Sequence, residues 1–271
     1  MSVHSVSLKG LRPNNEDNHS VKINLNNKDK NLAPVNLYAV YDGHGVNTGG
    51  KTVSKYLADN LPRFFTDKRI KYPLKKSYID KVYDHLQEGL TEKHKIISNN
   101  SGSTCLVVAH YKKNSKEYLD VMNTGDSRCV ICRDNRGVPL TKDHKPFWPD
   151  EMSRITKLGG IPKYDGADWR IGDLSVSRAF GDRDTGKYIT HLPEVSRFKI
   201  GKDDKFLILA CDGLWDAVSS QDAVNFVLHN SYDNEGKILK NKENIAKKLG
   251  DHAINAGSTD NVTVMIVYFD R

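Results

Sequence analysis

Cysteine is scarce in this chain: 4 in 271 residues, too few to staple a disulfide-built domain. Cys105, Cys129 and Cys211 lie inside apolar runs and read as small core residues. Cys129 and Cys132 have CxxC spacing, but they fall in the strand-like run SRCVICR and would point to opposite faces, which excludes joint metal capture or redox work. No cysteine has an arginine six positions on, so a C-x5-R phosphatase mechanism is excluded. Long hydrophobic runs are missing too. Runs such as Phe206 to Cys211 are far below the ~20 residues that cross a bilayer. The first residues, Met1 to Val6, lack the basic-then-apolar pattern of a secretion signal. These absences point to a reducing, intracellular setting, cytoplasmic or nuclear, without a membrane. Internal repeats are also lacking.

What is present is ordinary globular material: 38% hydrophobic and 28% charged residues. No stretch is biased enough to be a linker, so one domain over residues 1–271 is expected, with no regulatory extension at either end. Asn24 to Asn31 reads as a polar hairpin loop and Asp67 to Lys76 as a solvated basic connector. The net charge is +7, which favours acidic partners and equally serves solubility. The basic residues are scattered without interleaved aromatics, so nucleic acid is not an expected partner.

Strand-like runs, rich in β-branched and aromatic residues, cover Asn36 to Tyr41, Thr104 to Tyr111, Tyr118 to Asn123, Ser127 to Arg133, Phe206 to Cys211 and Val262 to Phe269. Several are apolar on both faces, as in sheets covered on each side. Helical spacing joins Val53, Tyr56, Leu57, Leu61, Phe64 and Phe65. It also places Ile79, Val82, Tyr83, Leu86, Leu90, His94 and Ile97 on one face of a second helix. Ser219 with Asp222 resembles a capping box before Val224, Val227 and Leu228. Ile245, Leu249 and Ala253 mark a last helix that Gly257 could cap. Helices in pairs between strand clusters suggest an α+β fold of stacked antiparallel sheets with helices outside.

Acidic residues beside glycine end several strands. Asp42 opens Asp42-Gly43-His44-Gly45, Asp212 opens Asp212-Gly213-Leu214-Trp215-Asp216, Asp126 lies in NTGDSR, Asp260 in STDN, and Glu16 and Asp17 in RPNNED. A turn accounts for Asp165-Gly166. At the rim of a buried strand, however, a carboxylate is costly unless a cation meets it. Several such rims brought together would repel unless they held hard divalent cations, which prefer oxygen ligands. The pattern therefore suggests a carboxylate-built, binuclear site suited to activating a water and clamping a phosphoryl group. Arg12 could then grip phosphate oxygens, and His44 could protonate a leaving alkoxide.

Taken in order from Gly10 to Phe269, these motifs resemble the type 2C metal-dependent Ser/Thr protein phosphatases, the PPM family. They are R-x-x-x-E-D at Arg12 to Asp17, YDGHG at Tyr41 to Gly45, SGST at Ser101 to Thr104, NTGDSR at Asn123 to Arg128, DHKPFWPDEMSRITKLGG at Asp143 to Gly160, LSVSRAFGD at Leu174 to Asp182, LACDGLWD at Leu209 to Asp216 and STDNVT at Ser258 to Thr263. The resemblance implies a central antiparallel β-sandwich flanked by helix pairs, an αββα arrangement of four layers. It implies two Mn²⁺ or Mg²⁺ ions bridged by Asp42, with the Gly43 carbonyl on one and Asp212 and Asp260 completing the other. Glu16 would act through water, and Asp126 with Asp212 would form a looser third-metal site. Asp17, Asp216 and Asn261 would stand behind these ligands. Arg12 would hold the substrate phosphate and His44 would be the general acid. The implied reaction is hydrolysis of phosphoserine or phosphothreonine in protein substrates by a metal-activated hydroxide, by a monomer and without a phosphoenzyme.

This chain departs from the family after His44, where Gly45-Val46 and the following residues to Thr52 look like a small insertion. Residues Pro162 to Asp173 form a short flap segment. Gly45 to Thr52 also fits the P-loop pattern G-x-x-x-x-G-K-[ST], but an NTPase reading leaves Arg12, Glu16, His44, Asp126 and Asp260 without roles. A catalytically silent binding module is the other alternative; against it, Asp42, Asp212 and Asp260 are all present. Within the longer motifs, Arg154, Ser177 and Arg178 read as supports, Arg154 paired to a carboxylate, and Trp148, Trp169 and Trp215 as core or flap packing.

Overall fold

The strand-forming runs pair into antiparallel sheets, and the periodic segments lie against them as helices. A computed structural model describes residues 2–25, 34–66, 70–233, 236–239 and 243–269. The polar loop expected at Asn24 to Asn31 and the connector at Asp67 to Lys76 fall in part outside these residues. In chain order come β1 (Val3–Leu8), β2 (Asn18–Lys22), β3 (Val35–Tyr41), β4 (Gly43–Gly45), α1 (Gly49–Asn60), α2 (Lys76–Lys93) and α3 (Ile97–Asn100). Next are β5 (Ser101–Ser103), β6 (Cys105–Lys113), β7 (Lys116–Thr124), β8 (Arg128–Arg133), β9 (Arg136–Pro139) and α4 (Pro149–Lys157). Then follow β10 (Lys163–Tyr164), β11 (Trp169–Arg170), β12 (Phe180–Gly181), β13 (Glu194–Lys199) and β14 (Asp204–Ala210). The chain closes with α5 (Asp212–Trp215), α6 (Ser220–Ser231), α7 (Ile245–Asn255) and β15 (Val262–Tyr268).

One five-stranded sheet has the order β1-β15-β14-β8-β9, and a second has the order β13-β7-β6-β3-β2. All ladders between named strands are antiparallel. Strand alternation then dictates the layers. In β14, Leu207 and Leu209 join Tyr38, Val40, Leu106, Val108 and Met265 in a cluster between the sheets. Phe206, Ile208 and Ala210 of the same strand join Val224, Val227, Leu249 and Ala253 of α6 and α7. On the far side, Leu37, Ala39 and Tyr41 pack with Val53, Leu57, Ile79, Tyr83 and Leu86 of α1 and α2. Helices, sheet, sheet, helices is the expected α+β sandwich. Cys129 faces the inter-sheet cluster and Cys132 the helix side, as their spacing requires.

Edge strands escaped the sequence reading. β1, β2 and β13 each lie at one edge of a sheet and are only partly buried: in β1, Val6 and Leu8 pack under the helices and Val3 against the inter-sheet layer, while Ser5 and Ser7 alternate with Val6 and Leu8. That weakens the apolar signal that marks central strands. The second predicted helix is also shorter than its periodicity suggests. α2 stops at Lys93, and His94 leaves the helical region (φ −133°, ψ 42°) although its N–H still reaches Leu90 O. The chain turns there, so Ile97 starts α3, which leads straight into β5. Ser219 does cap α6, accepting from the Asp222 N–H at 3.1 Å, and Ser258 and Gly257 donate back to Ala253 and Ile254 at the end of α7.

The expected support at Arg154 is a cluster. Buried Glu151 accepts from Arg154 (2.9 Å) and Arg178 (3.0 Å). Burial opposes its ionisation, but the two guanidinium groups prevail and hold the carboxyl down at about 2. Of the three tryptophans, Trp215 is core and Trp169 sits in the β10–β11 hairpin. Trp148 is neither: it is 47% exposed and stacks on Phe147, because it stands just outside α4, whose first residue is Pro149.

Leu209 is fully buried between the sheets. Leu209→Ala should cost about 2–5 kcal/mol of stability, read as a lower denaturant midpoint at constant slope. A cost below ~1 kcal/mol would contradict the packed inter-sheet layer.

Candidate active site

Antiparallel pairing brings several strand ends to one edge of the sandwich. Asp42 follows β3 and Asp126 follows β7, both in the second sheet; Asp212 follows β14, and Asp260 precedes β15, both in the first. Local hydrogen bonds hold the first of these in place. The Asp42 N–H donates to the Thr104 hydroxyl (3.1 Å), and the Thr104 N–H donates to the Asp42 carbonyl (2.9 Å). The Thr104 hydroxyl also bonds Ser127 at 2.8 Å, tying the SGST and NTGDSR motifs together.

A cleft of about 730 Å³ opens at this edge, lined by Arg12, Glu16, Asp42, Gly43, His44, Asp126, Asp212 and Asp260 among others. Asp42, Asp126 and Asp212 each present an oxygen within 4.8 Å of the others, and Asp17, Asp42 and Cys211 form a second such group. Burial pushes Asp42 well above the usual carboxylate range, and repulsion from Asp17, Asp212, Asp126 and Asp260 adds to it. Asp212 is raised in the same way by burial and then by Asp126 and Asp216. Asp17 is pushed up to about 6, chiefly by burial. Its Oδ2 accepts from the Thr263 hydroxyl (2.7 Å), while its buried Oδ1 has no hydrogen-bond partner. Among the described residues, Asp42 and Asp212 have no ion-pair partner. The Asp42–Asp126–Asp212 group, all oxygen, half-buried to buried and self-repelling, fits hard divalent cations.

The other expected ligands stand on the walls. Asp260 lies outside the central trio and pairs with Arg12 (2.7 Å). Glu16 lines the cleft, its N–H held by Asn261 Oδ1 (2.8 Å) and its Oε1 near the Lys51 N–H (3.4 Å). Asn261 also donates to the carbonyls of Lys9 (2.7 Å) and Asn14 (2.8 Å), so it fastens the Arg12-bearing loop. Asp216 is exposed and does not line the cleft; its N–H donates to the Asp212 carbonyl (2.8 Å) and its charge acts on Asp212.

Two contributors, Asp182 and Lys145, have no role in the sequence analysis, and the expected flap segment adds a third wall. Asp182 binds His44 Nε2 at 2.7 Å. Burial alone would lower the His44 pKa, but the charge and hydrogen bond of Asp182 outweigh it and, with Asp126 and Asp212, raise it. The pair is tightly built: a Cβ on Gly102 would stand 2.0 Å from Asp182 Oδ2 and 2.6 Å from His44 Nε2. The signal for Asp182 was present, since Gly181-Asp182 repeats the Gly-Asp pattern of Gly125-Asp126. Lys145, from the DHKP run, pairs with Asp126 at 2.5 Å and neutralises it. Arg170 and Asp173 bring the flap hairpin to the cleft; its turn is set by Asp165, which accepts from Ala167 and Asp168 (2.8 Å each).

The P-loop pattern has another explanation. A Cβ on Gly50 would meet His44 N at 2.3 Å and Gly43 C at 2.5 Å. The glycines let α1 press onto β4, and the sheets are antiparallel throughout, unlike a nucleotide-binding parallel sheet.

Facing antiparallel sheets that end in an acidic cleft are the architecture of the metal-dependent protein phosphatases. The family model described as Protein phosphatase 2C matches residues 1–262, and the chain belongs to the protein phosphatase 2C family. A PP2C-like domain-containing protein of Acanthamoeba polyphaga mimivirus is 43% identical over 176 residues, 59% of this chain and 98% of that protein. The probable protein phosphatase 2C 7 of Oryza sativa subsp. japonica is 36% identical over 273 residues, 99% of this chain. The chain spans 66% of that rice protein's length. In fold it is similar to a solved serine-threonine phosphatase 2C from Toxoplasma gondii, with TM-score 0.79 and 24% identity, covering 99% of this chain and 94% of that one.

The self-repulsion of the trio makes an unusual stability prediction. In EDTA, Asp212→Asn should be at least as stable as the unaltered protein, because it removes a repelling buried charge. Mn²⁺ should raise the melting temperature of the unaltered protein, by about 2–4 °C per kcal/mol of binding, and leave that of the variant nearly unmoved. A variant that is destabilised in EDTA yet keeps the full Mn²⁺ shift would contradict a metal role for Asp212.

Proposed function

We propose that the chain is a single catalytic domain that hydrolyses phosphoserine and phosphothreonine esters in proteins, acting as a monomer. The observation that carries this reading is the convergence of Asp42, Asp126 and Asp212 on the cleft floor with Arg12 and the His44–Asp182 pair on its walls. Asp42, the Gly43 carbonyl, Asp212 and Asp260 would hold two Mn²⁺ or Mg²⁺ ions, with Glu16 acting through water and Asp126 with Asp212 offering a looser third site. Bound there, such ions supply positive charge to the phosphoryl oxygens and activate the attacking water.

The chain's own groups perform the rest. Arg12 is 56% exposed at the cleft and already oriented by Asp260, so it can take two phosphate oxygens as a planar fork. His44 donates through Nε2 to Asp182, which leaves Nδ1 as the nitrogen that hands a proton to the departing serine or threonine oxygen. An alkoxide is a poor leaving group, so this proton matters most for alkyl phosphates. Asp182 positions the ring and favours its protonated form. Water attacks phosphorus, the P–O bond to the side chain breaks, and alcohol and inorganic phosphate leave. All four cysteines are buried and none has the sequence context of a nucleophile, which supports direct hydrolysis without a phosphoenzyme.

The test is phosphate release from a phosphothreonine peptide with Mn²⁺ and with EDTA. Metal-dependent release abolished by Asp212→Asn is expected; equal release in EDTA would sink the proposal. Arg12→Ala should raise KM about tenfold or more with a smaller effect on kcat. His44→Ala should slow alkyl phosphate hydrolysis about 10²–10⁴-fold, and Asp182→Asn less, with both sparing aryl phosphates. Equal losses on aryl and alkyl esters would remove the general-acid assignment.

A further inference from the structure

A second hollow adjoins the catalytic cleft, and the chemistry above makes no use of it. It holds about 440 Å³ and shares Thr48 with the cleft, so the two adjoin at that residue. Its lining includes Lys51, Lys55, Lys93 and His94 against a single acid, Asp59. Asp59 is already taken by Lys55 at 2.9 Å. The Lys93 ammonium lies 5.8 Å from the centre of the Tyr56 ring, and His94 stands edge-on to the same ring at 6.0 Å. Among the described residues, neither Lys51 nor Lys93 has a carboxylate partner. Lys51 belongs to the segment after His44 where the chain departs from the family pattern, and its backbone, not its ammonium, is what contacts Glu16. The result is a cationic pocket beside a cleft whose floor repels acidic side chains.

We propose that this hollow seats an acidic segment of the phosphoprotein substrate, a few residues from the phosphoserine or phosphothreonine in the cleft. The inference rests on the phosphatase reading and adds a specificity to it. An extended peptide leaving the cleft past Thr48 enters the hollow directly. There its carboxylates meet Lys51 and Lys93, which have no carboxylate partner among the described residues. Surface charges of this kind act on encounter and binding more than on the chemical step, so the effect belongs in KM.

The experiment compares two phosphothreonine peptides, one flanked by glutamates and one by alanines, with the Mn²⁺-loaded protein and its Lys51→Ala/Lys93→Ala variant. Both side chains are exposed, and the variant keeps the Lys51 backbone N–H. The unaltered protein should favour the acidic peptide about tenfold in kcat/KM, with the preference shrinking at high salt. The variant should lose that preference through KM and hydrolyse the alanine peptide normally. Equal rates on the two peptides, or a preference that survives the double substitution, overturns the proposal. A parallel arm reads binding without catalysis: fluorescence anisotropy of the glutamate peptide carrying unphosphorylated threonine, in EDTA. Lysine-dependent binding there supports the hollow even if neither peptide is hydrolysed, an outcome that would fall on the phosphatase reading alone. Binding that is unchanged in the variant overturns it.

Discussion

The structure depends on one electrostatic constraint: carboxylates that repel one another are held together by two sheets that do not let them separate. Asp42, Asp126 and Asp212 arrive from different strand ends, and the inter-sheet layer of Tyr38, Val40, Leu207 and Leu209 fixes those ends. Burial and repulsion both act against ionisation at Asp42 and Asp212. Such a cluster suits divalent cations, because Lys145 offsets its charge only in part, at Asp126 and more weakly at Asp212. The ion pairs nearby show the contrast. Asp126 has Lys145, Asp260 has Arg12 and Asp182 has His44, so the unrelieved charge concentrates on Asp42, Asp212 and the buried Asp17.

The same constraint explains the packing around the site. Gly50 must lack a side chain for α1 to lie on β4, and Asn261 must reach both Lys9 and Asn14 for the Arg12 loop to stay over the cleft. Neither contact is chemical in role, yet each fixes a group that is. Away from the site, the buried Glu151 with Arg154 and Arg178 fastens the segment that leads to Asp182.

Much of this could be read in the sequence, for physical reasons. Central strands are apolar on both faces, so β3, β6, β14 and β15 declare themselves, whereas the edge strands β1, β2 and β13 hide behind alternating polar residues. The Asp-Gly pairs at Asp42 and Asp212 stood out because they interrupt buried runs. Asp182 was not assigned because its partner, His44, lies 138 positions away, and no local pattern reveals that pairing. Lys145 looked like one more lysine until the fold set it against Asp126. Ile97 kept the period of α2, but periodicity cannot report that the backbone turns at His94.

The most direct measurement is calorimetric titration of Mn²⁺ into the metal-free protein near pH 6, in buffers of different ionisation enthalpy. If burial and repulsion keep these carboxyls partly protonated, binding must release protons, and the apparent heat will vary with the buffer. Binding without proton release, or no binding at all, would contradict the account of the cluster as a strained site that a divalent cation completes.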